Sequence, residues 1–403
     1  MASTPTNTAA ATPETSSTAS TSLLIHLSSM SPEAVEPALA NLAAAFPTQD
    51  ILVALPESAQ PNGIETAPNL RLLSYTPAAA SATNWVLTAA DYFNTYKLAL
   101  ENNASVCLLL GAGGHTLETE SIRNLARETL SSQADLVVAH YHLGPREGLV
   151  NSAILYPLTR ALFCSRPRFP LAIDVGLSLR MAERLATAAQ RFTAQNQEDA
   201  LLWPVSEAAA AGFSIAEAEV PKRAIPQPAS LDLNALLNQI LSSLFADIDV
   251  RASFWQRMRS VVGAQTIPTT SPLTEALDVT PMLDSFHLAY SNLHEIWALV
   301  LPPHTLLGLK RLSVMTPENF RMADSLWVRI VYDFVLAYRL RTINRGHLLG
   351  ALTPLYLAWV ASHLILVQSG VSPEQHIEDV AQAFETDKPY LVSRWRWPDR
   401  FNP

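Results

Sequence analysis

Residues Val106 to Leu110 read Val-Cys-Leu-Leu-Leu, and the chain then turns at once through Gly111-Ala112-Gly113-Gly114. Five apolar side chains in succession leave neither face of a strand polar. Such a strand is stable only at the centre of a sheet that is covered on both sides, which is the situation of parallel sheets flanked by helices. The rest of the first half repeats the theme. Leu23 to Leu27, Ile51 to Leu55, Leu70 to Tyr75, Asp135 to Tyr141 and Phe213 to Val220 have strand character. Ser31 to Phe46, Asn84 to Glu101, Leu117 to Ser131, Leu179 to Arg191 and Glu198 to Ala211 have helical spacing. Ser31-Pro32-Glu33 is a helix start, with a capping hydroxyl, a proline suited to the first turn and an acid at the positive end of the dipole. This β-α-β alternation predicts an α/β fold with a doubly wound, Rossmann-like, mostly parallel sheet. Ligands of such sheets bind outside the C-terminal strand ends, so the glycine turn after Leu110 occupies a privileged place.

After the proline-rich stretch Pro221 to Pro228 the strands stop. Helical patterns cover Leu231 to Arg259, Leu273 to Val300, Pro317 to Thr342, His347 to Gln368 and Pro373 to Phe384. Leu149 to Ser165 predicts a helix interrupted at Pro157. Met1 to Thr21 is Ala, Ser, Thr and Pro with one acid, too poor in apolar residues to order itself. Three segments result: a disordered head over 1–21, an α/β domain over 22–228 and an all-helical C-terminal region over 229–403.

Composition narrows the function. Hydrophobic residues make up 49% of the 403 and charged residues 16%, enough apolar material for a sizeable core. The net charge of −9 argues against nucleic acid, whose phosphates call for a basic surface. Cys107 and Cys164 lie in apolar runs and form neither a disulfide framework nor a zinc pattern. His140 and His142 would share one strand face, without further ligands at metal spacing. Leu348 to Gln368 contains no Asp, Glu, Lys or Arg over about the length of a membrane span. Thr353, Pro354, Ser362 and His363 within it, and Trp359 at its middle, predict a helix buried in a bundle instead. With no signal-peptide pattern, the expected location is cytoplasmic, with no membrane span.

Three stretches could carry chemistry. The turn at Gly111 to Gly114 lets a backbone approach a phosphate closely, but Thr116 stands at the third glycine position of a dinucleotide fingerprint and no Gly-Lys-Ser/Thr follows. On these residues alone it is a plain βα turn. Gly148 to Leu162, continuing to Pro170 to Ser178, gathers Arg160, Arg166, Arg168 and Arg180 around Asp174, a grouping suited to phosphate oxygens or to solvated surface. The tail from Lys388 to Trp397 interleaves Trp with Arg and reads as an anchor for the C-terminus.

The second and third stretches resemble a bacterial family of glycosyltransferase type 2-like proteins, related in fold to glucosyl-3-phosphoglycerate synthase and mannosylglycerate synthase. The similarity runs from about Val106 onward. It is strongest at Gly148 to Leu162, Pro170 to Ser178, Leu231 to Phe245 with Trp255, and Lys388 to Trp395. It implies a glycosyltransferase A-type (GT-A) fold that takes a sugar from a nucleotide-diphosphate donor. In that family an Asp-x-Asp element holds Mg²⁺ or Mn²⁺ against the leaving diphosphate, and a later histidine completes the shell.

Matching the strand and the next helix places Asp-x-Asp on Gly111-Ala112-Gly113, so both carboxylates are missing. The acid before Trp203 falls on Leu201, with Asp199 nearby, the histidine falls near Ile225, and the acceptor-loop base is Leu149. No metal ligand is therefore expected. The resemblance implies Asp174 as the catalytic residue. Gly111, Gly113, Arg166, Arg168, Lys222 and Arg223 would hold the donor diphosphate; Gly148, Asn151, Tyr156, Arg160 and Gly176 would lie on the acceptor side. Two functions follow: transfer of a sugar from a nucleotide-diphospho-sugar to a small hydroxylated, glycerate-like acceptor, or a catalytically degenerate relative that binds the nucleotide sugar or a protein partner without turnover. A third, structural role would use the helical region to form a homodimer.

Overall fold

The computed structural model describes residues 23–59, 67–77, 85–195, 197, 200–226, 232–259 and 278–398. The predicted head over 1–21, and Asp199, lie outside them. Seven strands form one sheet: β1 (Leu23–Leu27), β2 (Ile51–Pro56), β3 (Leu70–Tyr75), β4 (Val106–Leu110), β5 (Leu136–Tyr141), β6 (Asp174–Ser178) and β7 (Ile215–Val220). Their order is β3-β2-β1-β4-β6-β5-β7. Six strands run in one direction, and β6 is inserted antiparallel between β4 and β5. β4 is central, and every one of its residues is buried.

Helices cover both faces: α1 (Pro32–Ala45) and α3 (Thr119–Leu130) on one, α2 (Ala89–Glu101), α5 (Leu179–Thr193) and α6 (Pro204–Ala211) on the other. α2 begins later than the Asn84 expected from spacing. Thr88 offers both its backbone N–H and its hydroxyl to the Asp91 carboxylate, at 2.7 and 2.9 Å, which fixes the helix start from the third residue of its first turn. β6 carried no strand signal in the sequence, because Gly176 interrupts its apolar run. A Cβ at that glycine would lie 2.3 Å from the Leu125 carbonyl oxygen, so the missing side chain is what lets α3 rest on the sheet.

The C-terminal region is all helix: α7 (Leu233–Val250), α8 (Ala252–Trp255), α9 (Thr280–Ala298), α10 (Pro303–Leu312), α11 (Asp324–Leu340), α12 (Arg345–Gln368) and α13 (Pro373–Arg396). α10 was not expected, since Pro302-Pro303 reads as a break although Pro303 suits a first helical turn. α13 runs on through Pro389. α12 is long and apolar enough to cross a membrane by length and composition, and 78% of its most apolar window is buried inside the structure.

The helical core also takes in residues from before the linker. The segment Asn151–Leu155 is a π-helical turn that runs directly into α4 (Tyr156–Phe163), so Pro157 sits inside a continuous helix where an interruption was predicted. Pro157 has no N–H to give a carbonyl of the preceding turn. The Ala153 carbonyl of that turn accepts from the Trp327 indole of α11 at 2.8 Å. Ala153, Leu158, Leu162 and Phe163 belong to the same apolar cluster as Trp327 and Trp359. The tail expected to anchor the C-terminus lies on α13, where Arg394 pairs with buried Asp333 at 2.5 Å and Trp395 meets Trp255 edge-on at 5.0 Å. A mostly parallel seven-stranded sheet followed by an all-helical region is the mixed α/β architecture that the β-α-β alternation predicts.

Candidate functional site

Four strand ends meet at Asp174. The register places Asp174, the first residue of β6, opposite Leu110, the last of β4. The Gly111 N–H therefore reaches both the Asp174 Oδ1 and the Ile173 carbonyl, each at 3.1 Å. Tyr141, which ends β5, donates its hydroxyl to Asp174 Oδ2 at 2.8 Å and accepts from the Asp174 N–H at 3.2 Å. Arg223, three residues past the end of β7, supplies the remaining partners. Its Nε donates to Asp174 Oδ2 at 2.8 Å and its Nη2 to Oδ1 at 3.1 Å. Both side chains are fully buried.

Arg223 also closes the glycine turn. Nη2 donates to the Ala112 carbonyl at 2.7 Å and Nη1 to the Ala224 carbonyl at 2.7 Å. Thr116 helps hold this segment by accepting from the Ala224 N–H at 3.0 Å. The glycines are explained by this approach. Gly113 has φ +78°, and a Cβ there would lie 2.4 Å from Arg223 Nη1 and 2.8 Å from the Ala224 oxygen; a Cβ at Gly111 would lie 2.8 Å from the Ile173 oxygen. The turn that could have cradled a phosphate instead receives the chain's own guanidinium.

Of the residues assigned to the donor, Gly111, Gly113 and Arg223 thus meet one another and Asp174. Lys222 is next in sequence but exposed, with its amine on Glu118 at 2.9 Å. Arg166 borders a separate groove of ≈ 410 Å³ with Phe163, Phe213 and Phe254. Arg168 lies at the seam with the helical region. Its Nε is 3.4 Å from Glu374 of α13, its Nη2 donates to Ser152 at 3.1 Å, and its backbone N–H donates to Glu217 at 2.6 Å.

The acceptor-side residues divide similarly. Gly148, at φ +62°, opens the π-helical segment, and Asn151 donates to the Arg168 carbonyl at 2.8 Å. Tyr156 and Arg160 face α13. Arg160 pairs with Glu378 at 2.5 Å and Glu385 at 3.0 Å, and also donates to the Tyr156 hydroxyl at 3.0 Å. Gly176 lies beneath α3. The carboxylates Glu374, Glu378 and Glu385 were missed by sequence reasoning, yet their spacing of four and then seven residues puts them on one helical face, a signal that was legible.

A second polar cluster lies at the end of β1. Ser28 donates to Asp91, and buried His26 bridges Thr95 and Tyr75, both at 2.6 Å. Because the Thr95 hydroxyl donates to the Asp91 carbonyl at 2.7 Å, it must accept from His26 Nδ1–H. Nε2 is then bare and accepts from the Tyr75 hydroxyl. Burial lowers the His26 pKa to about 4, in keeping with a neutral ring.

A divalent cation does not fit the glycine turn. Gly111, Ala112 and Gly113 offer only backbone oxygens, and Arg223 already takes the Ala112 carbonyl and both oxygens of Asp174. Mg²⁺ and Mn²⁺ call for several hard oxygen ligands with free lone pairs. Among the described residues no group of three or more His, Cys, Asp or Glu side chains is placed to hold a metal ion.

No protein-family model matches the chain, and no curated protein matches it. Among solved structures, glucosyl-3-phosphoglycerate synthase from Mycobacterium tuberculosis, in complex with phosphoglyceric acid, is similar over 57% of this chain and 80% of that chain, at 13% identity and a TM-score of 0.34.

Proposed function

We propose that this chain is a glycosyltransferase-type protein that binds a nucleotide-diphospho-sugar at the C-terminal strand ends without metal-assisted turnover. The observation that carries this reading is the buried Arg223–Asp174 pair. In metal-dependent sugar transfer the ion meets the charge of the leaving diphosphate. Here the one carboxylate at the turn is neutralised from within, and Arg223 has little donor capacity left for a ligand.

A second reading is metal-independent transfer to a small hydroxylated, glycerate-like acceptor. It is favoured by the same arginine seen differently: a cation fixed beside the strand ends is preorganised, and a preorganised charge can stabilise a leaving group.

Calorimetry with UDP-, GDP- and ADP-sugars, with and without Mn²⁺, paired with detection of sugar transfer to glyceric acid, separates the two. Equal binding with and without Mn²⁺, and no transfer, supports the first. Transfer without metal replaces it with the second. Binding strengthened by Mn²⁺, or no binding of any of these donors, overturns both.

A further inference from the structure

The helical region carries a basic patch at one end, with apolar side chains set into it. The C-terminal ends of α7, α11 and α13 meet there, beside α8. Arg339, in the last turn of α11, joins them. Its guanidinium carbon lies 4.2 Å from the centre of the Trp395 ring of α13, its Nη1 donates to the Trp395 carbonyl at 2.8 Å, and its Nε faces Asp249 of α7 at 3.6 Å. Trp395 packs edge-on against Trp255 of α8, and Arg396 donates to Gln256 at 3.0 Å. Arg345, the first residue of α12, reaches back to α11 and donates to the Tyr338 carbonyl at 3.2 Å.

The charges at this end do not balance. Asp247 is taken by Arg251 and Asp249 by Arg339. Arg257, Arg259, Arg341, Arg345 and Arg396 form no ion pair among the described residues, and all but Arg345 are exposed. Helix dipoles account for only a part of this. Each of the three helix C-termini carries about half a negative charge, too little to offset five guanidiniums, and Arg345 stands at the positive end of α12, where a cation is unfavourable. The concentration of unpaired cations is the more marked in a chain of net charge −9.

Apolar side chains stand among these cations. Trp397, directly after Arg396, is 61% exposed; Leu340, between Arg339 and Arg341, is 45% exposed; Val250, before Arg251, is 73% exposed. Each is held out in water at a cost that a partner with an apolar layer would remove.

The combination selects the partner. A bilayer with anionic headgroups presents phosphates and carboxylates to guanidiniums and hydrocarbon just beneath them, and an indole settles at the headgroup level between the two. A nucleic acid would answer the arginines and could stack on Trp397, but it has nothing to offer Leu340 and Val250.

We infer that this end of the helical region docks reversibly on an anionic lipid surface, with Arg257, Arg341 and Arg396 against the headgroups and Trp397, Leu340 and Val250 at the boundary with the hydrocarbon. The inference is independent of the nucleotide-sugar reading, because none of these residues belongs to the site at the strand ends.

The test is cosedimentation of the full chain with vesicles of phosphatidylcholine alone, and of phosphatidylcholine mixed with phosphatidylserine, at low and at high salt. Binding should occur to the mixed vesicles at low salt, fall away at high salt, and be absent from phosphatidylcholine. Arg341→Gln with Arg396→Gln should weaken it by about thirty-fold, since each cation near such a surface contributes about five-fold. Binding should also shift tryptophan fluorescence to the blue, and Trp397→Phe should remove the shift, because Trp397 is the one exposed tryptophan among the described residues. Equal binding to both kinds of vesicle, no binding to the mixed ones at low salt, binding unchanged in the arginine variant, a blue shift that survives Trp397→Phe, or tighter binding to DNA than to vesicles overturns the inference. The comparison of the two vesicles on the unmodified chain stands even where a variant fails to fold.

Discussion

Asp174 and Arg223 stand 49 positions apart in the chain and form a fully buried, two-point ion pair at the meeting of four strand ends. A pair of this kind contributes less to net stability than its geometry suggests, because both charges have been taken out of water. Breaking it from one side is another matter. Asp174→Asn leaves a buried guanidinium without its counter-charge and should cost about 3–5 kcal/mol in urea unfolding. Asp174→Leu combined with Arg223→Met should recover most of that loss. A double variant as unstable as the single would show that the pair's other contacts, and not its charge, hold this corner.

The glycine turn gives a prediction about metal. Gly111→Asp with Gly113→Asp restores the carboxylates of the resembled family, but the new Gly113 side chain would strike Arg223. In the otherwise natural chain this pair of changes should yield no measurable Mn²⁺ binding and should destabilise by about 1–3 kcal/mol, the usual cost of overpacking. Adding Arg223→Ala frees Asp174 and opens space at the turn. Mn²⁺ affinity, followed by electron paramagnetic resonance, should then appear in the triple variant only. Binding in the double variant would show that Arg223 does not block the site.

His26 should make stability depend on pH. Its pKa is about 4 in the folded protein against 6.5 in the unfolded chain. Between these values the unfolded state binds more protons, so stability rises with pH and is lost as pH falls from 6.5 toward 4. One such group contributes roughly 3 kcal/mol across that window. Asp333 acts in the opposite sense: burial, partly offset by Arg394, raises its pKa to about 7, so the folded state binds the extra proton between 3.8 and 7. The informative measurement is thus a difference. His26→Asn should flatten the rise of Tm with pH between 4 and 6.5 relative to the natural chain, and an unchanged slope would mean that His26 is not neutral in the fold.

Trp327 and Pro157 should be coupled. Trp327→Phe preserves most of the apolar contact but leaves the Ala153 carbonyl buried without its 2.8 Å donor, at a cost of about 1–3 kcal/mol. In a Pro157→Ala background the restored N–H can serve that carbonyl, so the same change should cost distinctly less. A double-mutant cycle in thermal unfolding measures the difference, and strict additivity would rule out the exchange of donors.

Much of the scaffold was readable along the chain. The apolar run of β4, the Ser31-Pro32 helix start and the periodic C-terminal segments each depend on neighbours a few residues away. β6 was not readable, because its five residues are split by a glycine whose purpose is the approach of α3. α10 was hidden by prolines that suit its first turn. At the candidate site the resemblance singled out Asp174 as the catalytic residue and Gly111 and Arg223 as parts of a donor-binding surface. Their hydrogen bonds to one another cross separations of 49 to 112 residues.

The sequence by itself determined the alternating α/β half, the helical half, and the absence of carboxylates at the glycine turn, since all three follow from local side-chain chemistry and spacing. Only the tertiary structure decided what fills that turn, which way Arg160 faces, and that the ends of α7, α11 and α13 meet. Those outcomes are set by which strand ends lie side by side and by which distant charge satisfies a group once water is gone, and neither is encoded in any short stretch of chain.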